Sequence, residues 1–253
     1  MAQLKLCPFE TRPFFQYFLK RCPFHLMQII EIYKSLQGES SYAGLPCVFV
    51  RTAGCNLRCV WCDSEYTFKG GQRMTLEEIE HEVHRLSPDG GLVEVTGGEP
   101  MLQEGEVIPL MDHLLIAGYT VLLETSGERL LDKVPEAVVK VVDVKCPHSG
   151  EGGTFRHDNL LHMTRRDEVK FVLASRRDYE FAREFIREHE LAARVGAVIL
   201  SPAFRKDAAG NRDTSHCLLD PRELAEWMLA DGLKARLGLQ IHKFIWEPSL
   251  KGV

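Results

Sequence analysis

Five apolar runs of strand length each lead into a residue with chemistry to offer: Cys55, Gly97, Ser126, Lys145 and Ser201. Helix-like stretches lie between them. A run over 47–51 precedes Cys55. Residues 75–86 then read as a helix, with Thr75 at its N-cap and Glu78 completing a capping box. A strand over 92–95, a helix over 106–117 and strands over 119–123 and 138–144 follow. The pattern continues with a strand over 168–173, a helix over 176–190, a strand over 195–200 and a helix over 221–230. A last strand is expected over 236–242. Such alternation implies parallel strands joined by right-handed crossovers. The expected fold is therefore α/β: a partial, open parallel β/α barrel of about six strands, short of a closed eight. In parallel folds the C-terminal strand edge gathers ligands and catalytic groups, and all five residues fall on it.

The sharpest local feature is Cys55-Asn-Leu-Arg-Cys59-Val-Trp-Cys62, three cysteines spaced C-x3-C-x2-C. One loop can wrap that triplet around one inorganic centre. Three thiolates would leave a four-iron cubane with one iron that no cysteine holds, whereas such clusters usually have four. A structural zinc site is the alternative. It wants four closed ligands, and Cys59 with Cys62 supplies only one pair. On spacing alone, cluster, zinc and free thiols all remain open. The other five cysteines, at 7, 22, 47, 146 and 217, are scattered, unlike a secreted disulfide scaffold.

Charge excludes some functions. Thirty-one Lys and Arg against 36 Asp and Glu give −5, which argues against nonspecific nucleic-acid binding. No run approaches the roughly 20 apolar residues of a membrane span, and a cytoplasmic location is expected. Residues 1–26 differ from the rest. They carry an aromatic run at Phe14–Leu19, too short to span a membrane and without a convincing cleavage site. They are expected to be an extension to a core of residues 27–253.

Several residues have a plain reading beside a functional one. Thr125 and Ser126 could cap a turn. Lys145 could be a solvated charge, and His242 and Lys243 packing and surface residues. The glycine in Leu36-Gln37-Gly38-Glu39 suits an ordinary turn, or a backbone brought close to a ligand. Arg51 suits solvent, or a carboxylate that its guanidinium fork can grip.

The triplet together with Gly97-Gly98-Glu99-Pro100 resembles the radical S-adenosylmethionine (SAM) superfamily. Leu36 to Glu39, Arg51, Cys62-Asp63-Ser64, Thr96 to Pro100, Glu124-Thr125-Ser126-Gly127 and Gln240-Ile241-His242-Lys243 narrow this. From Met27 onward the chain is similar to the 7-carboxy-7-deazaguanine synthase family. That resemblance implies a carbon–nitrogen lyase acting on the small-molecule pterin 6-carboxy-5,6,7,8-tetrahydropterin. Its product is 7-carboxy-7-deazaguanine, on the route to queuosine, and ammonia is lost.

The resemblance also implies the cofactors and partners: one [4Fe-4S] cluster, SAM, Mg2+, a homodimer, and an external electron donor such as flavodoxin or ferredoxin. Carried over by residue, Cys55, Cys59 and Cys62 hold the cluster. Gly98, Ser126, Asp143, Val144 and Lys145 line the SAM site. Leu36, Gln37, Gly38, Arg51 and Thr96 contact the pterin, and Ser64 holds magnesium. Two departures stand out. The family commonly has threonine where Ser64 stands, and its chains often end just after the His-Lys segment, which puts a contact from Pro248 in doubt. A glycyl-radical activase and a zinc-binding interaction module are the rival readings.

Overall fold

The computed structural model describes residues 26–205, 216–246 and 250–252. The expected N-terminal extension, apart from Leu26, and Pro248 lie outside them.

The strands are β1 (Leu26–Leu36), β2 (Pro46–Thr52), β3 (Gln72–Thr75), β4 (Leu92–Gly97), β5 (Thr120–Thr125), β6 (Val139–Asp143), β7 (Glu168–Leu173), β8 (Ala197–Pro202) and β9 (Arg236–Leu237). They form one open sheet in the order β3-β1-β2-β4-β5-β6-β7-β8-β9. From β2 to β9 every neighbouring pair is parallel. The open parallel barrel read from the sequence is thus present. An antiparallel ribbon extends it, because β1 pairs antiparallel with both β2 and β3. The four-residue β3 gave no apolar run to find.

The helices are α1 (Leu76–Leu86), α2 (Glu104–Ile116), α3 (Arg176–Glu188), α4 (Leu191–Arg194), α5 (Pro221–Ala230) and α6 (His242–Ile245). At the start of α1, Thr75 Oγ1 accepts from the Glu78 amide at 3.2 Å. The Glu78 carboxylate accepts from the Thr75 amide at 2.8 Å. The capping box is formed as the sequence predicts.

Side chains alternate across a strand, and this period of two makes three zones. Val93, Val95, Val121, Leu123, Val142, Val169 and Phe171 face the helices and join Ile79, Val83, Leu110 and Tyr179 in the main core. Full burial of each aliphatic or phenyl side chain contributes roughly 1.5–3 kcal/mol. The other face begins as a smaller apolar cluster of Cys47, Phe49, Leu92, Leu122, Val139 and Val141. Two residues further along the strands that face turns polar, at Arg51, Glu94, Thr96, Glu124, Asp143 and Lys170. All of these line one cavity at the C-terminal sheet edge.

The last expected strand is corrected. Of residues 236–242 only Arg236–Leu237 pair with β8. Gly238 passes so close to β8 that a Cβ there would lie 2.5 Å from Ile199 Cγ2. The chain then turns into α6. The alternating residues 236–242 imitate a strand, but distant contacts, described below, hold their second half. Among the described residues, no helix is long and apolar enough to cross a membrane.

Candidate active site

The cysteine loop leaves the end of β2. Arg58 braces it from within: Nη1 donates to the carbonyls of Cys55 (2.8 Å) and Leu57 (2.6 Å), and the guanidinium stacks on Phe68 at 4.1 Å. The Val60 amide donates to Ser149 O at 2.8 Å. Cys55, Cys59 and Cys62 are free thiols, half-buried, on the cavity wall. Burial pushes the Cys59 thiol up to about 11 and raises Cys55 too. Thiols so placed stay protonated until a metal centre displaces the proton.

These residues fit a cluster with a bare iron. Among the described residues, no group of three or more His, Cys, Asp or Glu is gathered tightly enough for a single ion. A cubane is a larger body, held by thiolates spread around it. Cys47, Cys146 and Cys217 are buried and stand outside the cavity lining, so none is placed as a fourth thiolate. Trp61 lies on the cavity wall beside the thiols.

Beside the thiols the wall is main chain. Gly97 and Gly98 pass against the β2 end and the cysteine loop. A Cβ on Gly98 would run into Gly54 O and lie 2.8 Å from Cys55 Cβ. Glu99, 1% exposed, ties this turn to the next. Its carboxylate accepts from the Met101 amide (3.0 Å), Thr125 Oγ1 (2.7 Å), the Ser126 amide (2.8 Å) and Ser126 Oγ (2.6 Å). At the end of β6, Lys145 Nζ meets Asp143 Oδ2 at 2.7 Å. Burial pulls the Lys145 ammonium down, but Asp143 outweighs it and holds it above the ordinary lysine range. The other Asp143 oxygen is buried without a hydrogen-bond partner, an acceptor left for a ligand.

The facing wall is charged. Arg51 Nε bonds Glu31 Oε1 at 2.9 Å and Nη2 bonds Tyr33 OH at 2.8 Å, while Tyr66 OH donates to the same Glu31 oxygen at 2.7 Å. The fork is aimed, with N–H groups left over. Lys170, 3% exposed, joins Glu39 Oε2 (2.6 Å) and Glu124 Oε1. Burial works against ionising Glu39, but Lys170 and then His242 hold its carboxyl down at about 2. Glu94 goes the other way. Burial, then Glu124 beside it, push it well above the usual carboxylate range. Gln37 Nε2 donates to Glu94, and Thr96 Oγ1 to Glu124 at 3.2 Å. The 240–243 segment closes this side. Gln240 Nε2 donates to Glu39 Oε1 at 2.6 Å, the Ile241 amide to Gly38 O at 3.0 Å, and Lys243 Nζ reaches Asp63 Oδ2 at 2.6 Å. Gly38 is in contact with the His242 ring, with no room for a Cβ.

Every residue singled out from the sequence for cofactor, substrate or metal lines this cavity, except Val144. The Val144 side chain is in the main core and its amide bonds Lys170 O at 2.9 Å. The residues that sequence reasoning did not assign to the site are Glu94, Glu99, Glu124, Lys170, Asp63 and Glu39. A charge in the middle of an otherwise apolar strand, as in Leu92-Val-Glu-Val95 or Glu168-Val-Lys-Phe171, was the available signal.

The Radical SAM superfamily pattern matches residues 49–175, half the chain, which places the protein in that class of enzymes. The crystal structure of QueE from Escherichia coli superposes with a TM-score of 0.64 at 22% identity, over 85% of this chain and 96% of that one, and shares the fold. A 7-carboxy-7-deazaguanine synthase of Koribacter versatilis is 66% identical over 227 residues, 90% of this chain and all of the relative. One of Chlorobaculum tepidum is 41% identical over 90% of this chain and 97% of the relative. The chain belongs to the 7-carboxy-7-deazaguanine synthase family.

Proposed function

We propose that the chain converts 6-carboxy-5,6,7,8-tetrahydropterin to 7-carboxy-7-deazaguanine with release of ammonia. The observation that carries this is a single cavity in which a three-thiol loop and a glycine-built wall face a charged wall. Cys55, Cys59 and Cys62 would hold the [4Fe-4S] cluster. When bound and reduced, the cluster supplies the electron that cleaves SAM to a 5′-deoxyadenosyl radical.

The chain's own part is placement. Gly98 lets the main chain approach the ligand, and Ser126 lies on the same wall. Asp143 offers an unused acceptor and Lys145 a half-buried cation to the amino and carboxylate ends of SAM. Arg51 offers its remaining N–H groups to the pterin carboxylate, with Leu36, Gln37, Gly38 and Thr96 around the ring. Trp61, Phe68 and Phe204 line the same cavity and limit water near the reacting carbon. Fixing reactants in attack geometry can supply about 7–11 kcal/mol of a barrier.

Ser64 Oγ, 3.7 Å from Cys62 Sγ, is the oxygen we assign to Mg2+, a hard cation that takes oxygen ligands. We assign residues 27–253 as the catalytic core and 1–26 as an extension. Homodimeric assembly and reduction by a flavodoxin or ferredoxin complete the proposal.

The test is anaerobic reconstitution with iron and sulfide, followed by incubation with reductant, SAM, Mg2+ and carboxytetrahydropterin, read by product mass. The expected result is 7-carboxy-7-deazaguanine from the wild type and none from Cys59→Ala. Protein that binds zinc, stays colourless and never cleaves SAM overturns the reading.

A further inference from the structure

The segment 240–243 touches both walls of the cavity. On the substrate side it holds the turn after β1 through Gln240 to Glu39 and Ile241 to Gly38. On the cofactor side Lys243 Nζ holds Asp63 Oδ2 at 2.6 Å, and Asp63 stands between Cys62 and Ser64. The two partners differ. The Lys243 side chain is 5% exposed and packs its ammonium over the Phe204 ring at 5.0 Å, whereas the Asp63 side chain is 49% exposed. The buried cation is the fixed point and the loop carboxylate is what it restrains. Lys243 has no other acid within ion-pair distance among the described residues.

We propose that Lys243 is a positioning residue: through Asp63 it sets the end of the cysteine loop against the substrate wall, so that Ser64 and the pterin turn are registered together. The proposal rests on the reading of the cavity given above. It assigns no bond-making role to Lys243, which acts through Asp63.

Two readouts test it. In metal-free protein, amide exchange of residues 59–66 should quicken in both Lys243→Met and Asp63→Asn. The expected change is at least about tenfold, equivalent to ~1.4 kcal/mol of lost local stability, with β6–β8 unchanged. In reconstituted enzyme the same variants should need more Mg2+ for half-maximal turnover. They should also release more 5′-deoxyadenosine per product, each by about tenfold or more, as misplacement of reactants predicts. Lys243→Arg should recover both, and the double variant should be no worse than either single one.

Wild-type exchange at 59–66 in Lys243→Met, or losses that add in the double variant, overturns the proposal. If Lys243→Met does not fold, Asp63→Asn, at an exposed side chain, decides by the same readouts. A wild type inert toward carboxytetrahydropterin sinks the functional reading instead, and the exchange data still judge the restraint.

Discussion

The two walls of the cavity are built from different materials. The cofactor wall is main chain and small side chains: the cysteine loop, Gly97, Gly98 and the Ser126 turn, with Glu99 tied to the Ser126 turn through its carboxylate and to Gly54 O through its amide. The substrate wall is long ionisable side chains: Glu94, Glu124 and Lys170 from within β4, β5 and β7, and Glu39 from the turn after β1. One wall depends on the absence of atoms and the other on the balance of charges. They should fail in different ways.

The largest effect is expected on the charged wall. Lys170→Met keeps the volume but leaves Glu39 and Glu124 without their cation. Breaking a buried ion pair from one side typically costs ~3–5 kcal/mol. Chemical denaturation should show that loss, and an unchanged midpoint would mean the two acids find other partners. Next comes the main-chain wall. Gly98→Ala puts a methyl into Gly54 O and must push the cysteine loop away. Displacement of about 1 Å can reduce turnover by 10²-fold, ~2.7 kcal/mol of barrier, here with a nearly unchanged melting temperature. Wild-type turnover in that variant would show the glycine to be incidental.

The smallest effect separates two acids on one wall. The folded Glu39 value of about 2 lies below its ordinary 4.5, so its stabilisation is full above 4.5 and lost as pH falls toward 2. Glu94 is raised, so its folded form binds a proton the unfolded chain gives up. Its contribution is present below 4.5 and erodes as pH rises. Glu94→Gln should therefore gain on the wild type as pH climbs from 5 to 8, by roughly a few degrees in Tm. Glu39→Gln should lose to the wild type in full above pH 4.5, and progressively less as pH falls toward 2. Parallel melting curves at all pH values would contradict both assignments.

Much of this was legible in the sequence because it is local. The cysteine spacing, the Thr75 capping box and the strand ends each occupy a few consecutive residues. So do the glycines of Gly97-Gly98-Glu99-Pro100. What escaped was non-local. β3 exists because β1 is there to pair with it. Residues 239–242 leave the strand pattern because Gly38 and Glu39 hold them elsewhere. Glu94 and Lys170 were visible as charges inside apolar runs, but the upward shift of each depends on neighbours from other strands. Val144 shows the reverse failure: its position beside Asp143 and Lys145 put it with the site, while the alternation of the strand sends its side chain into the core.

The grip of residue 240 on Glu39 and of Lys243 on Asp63 spans 201 and 180 positions of chain. Contacts so remote in sequence close late, since the entropy of joining distant points must be met before they form. As the polypeptide emerges from the ribosome, the cysteine loop therefore waits through most of synthesis for the strap that restrains it. Iron loading during that interval would meet a looser loop than the finished enzyme offers.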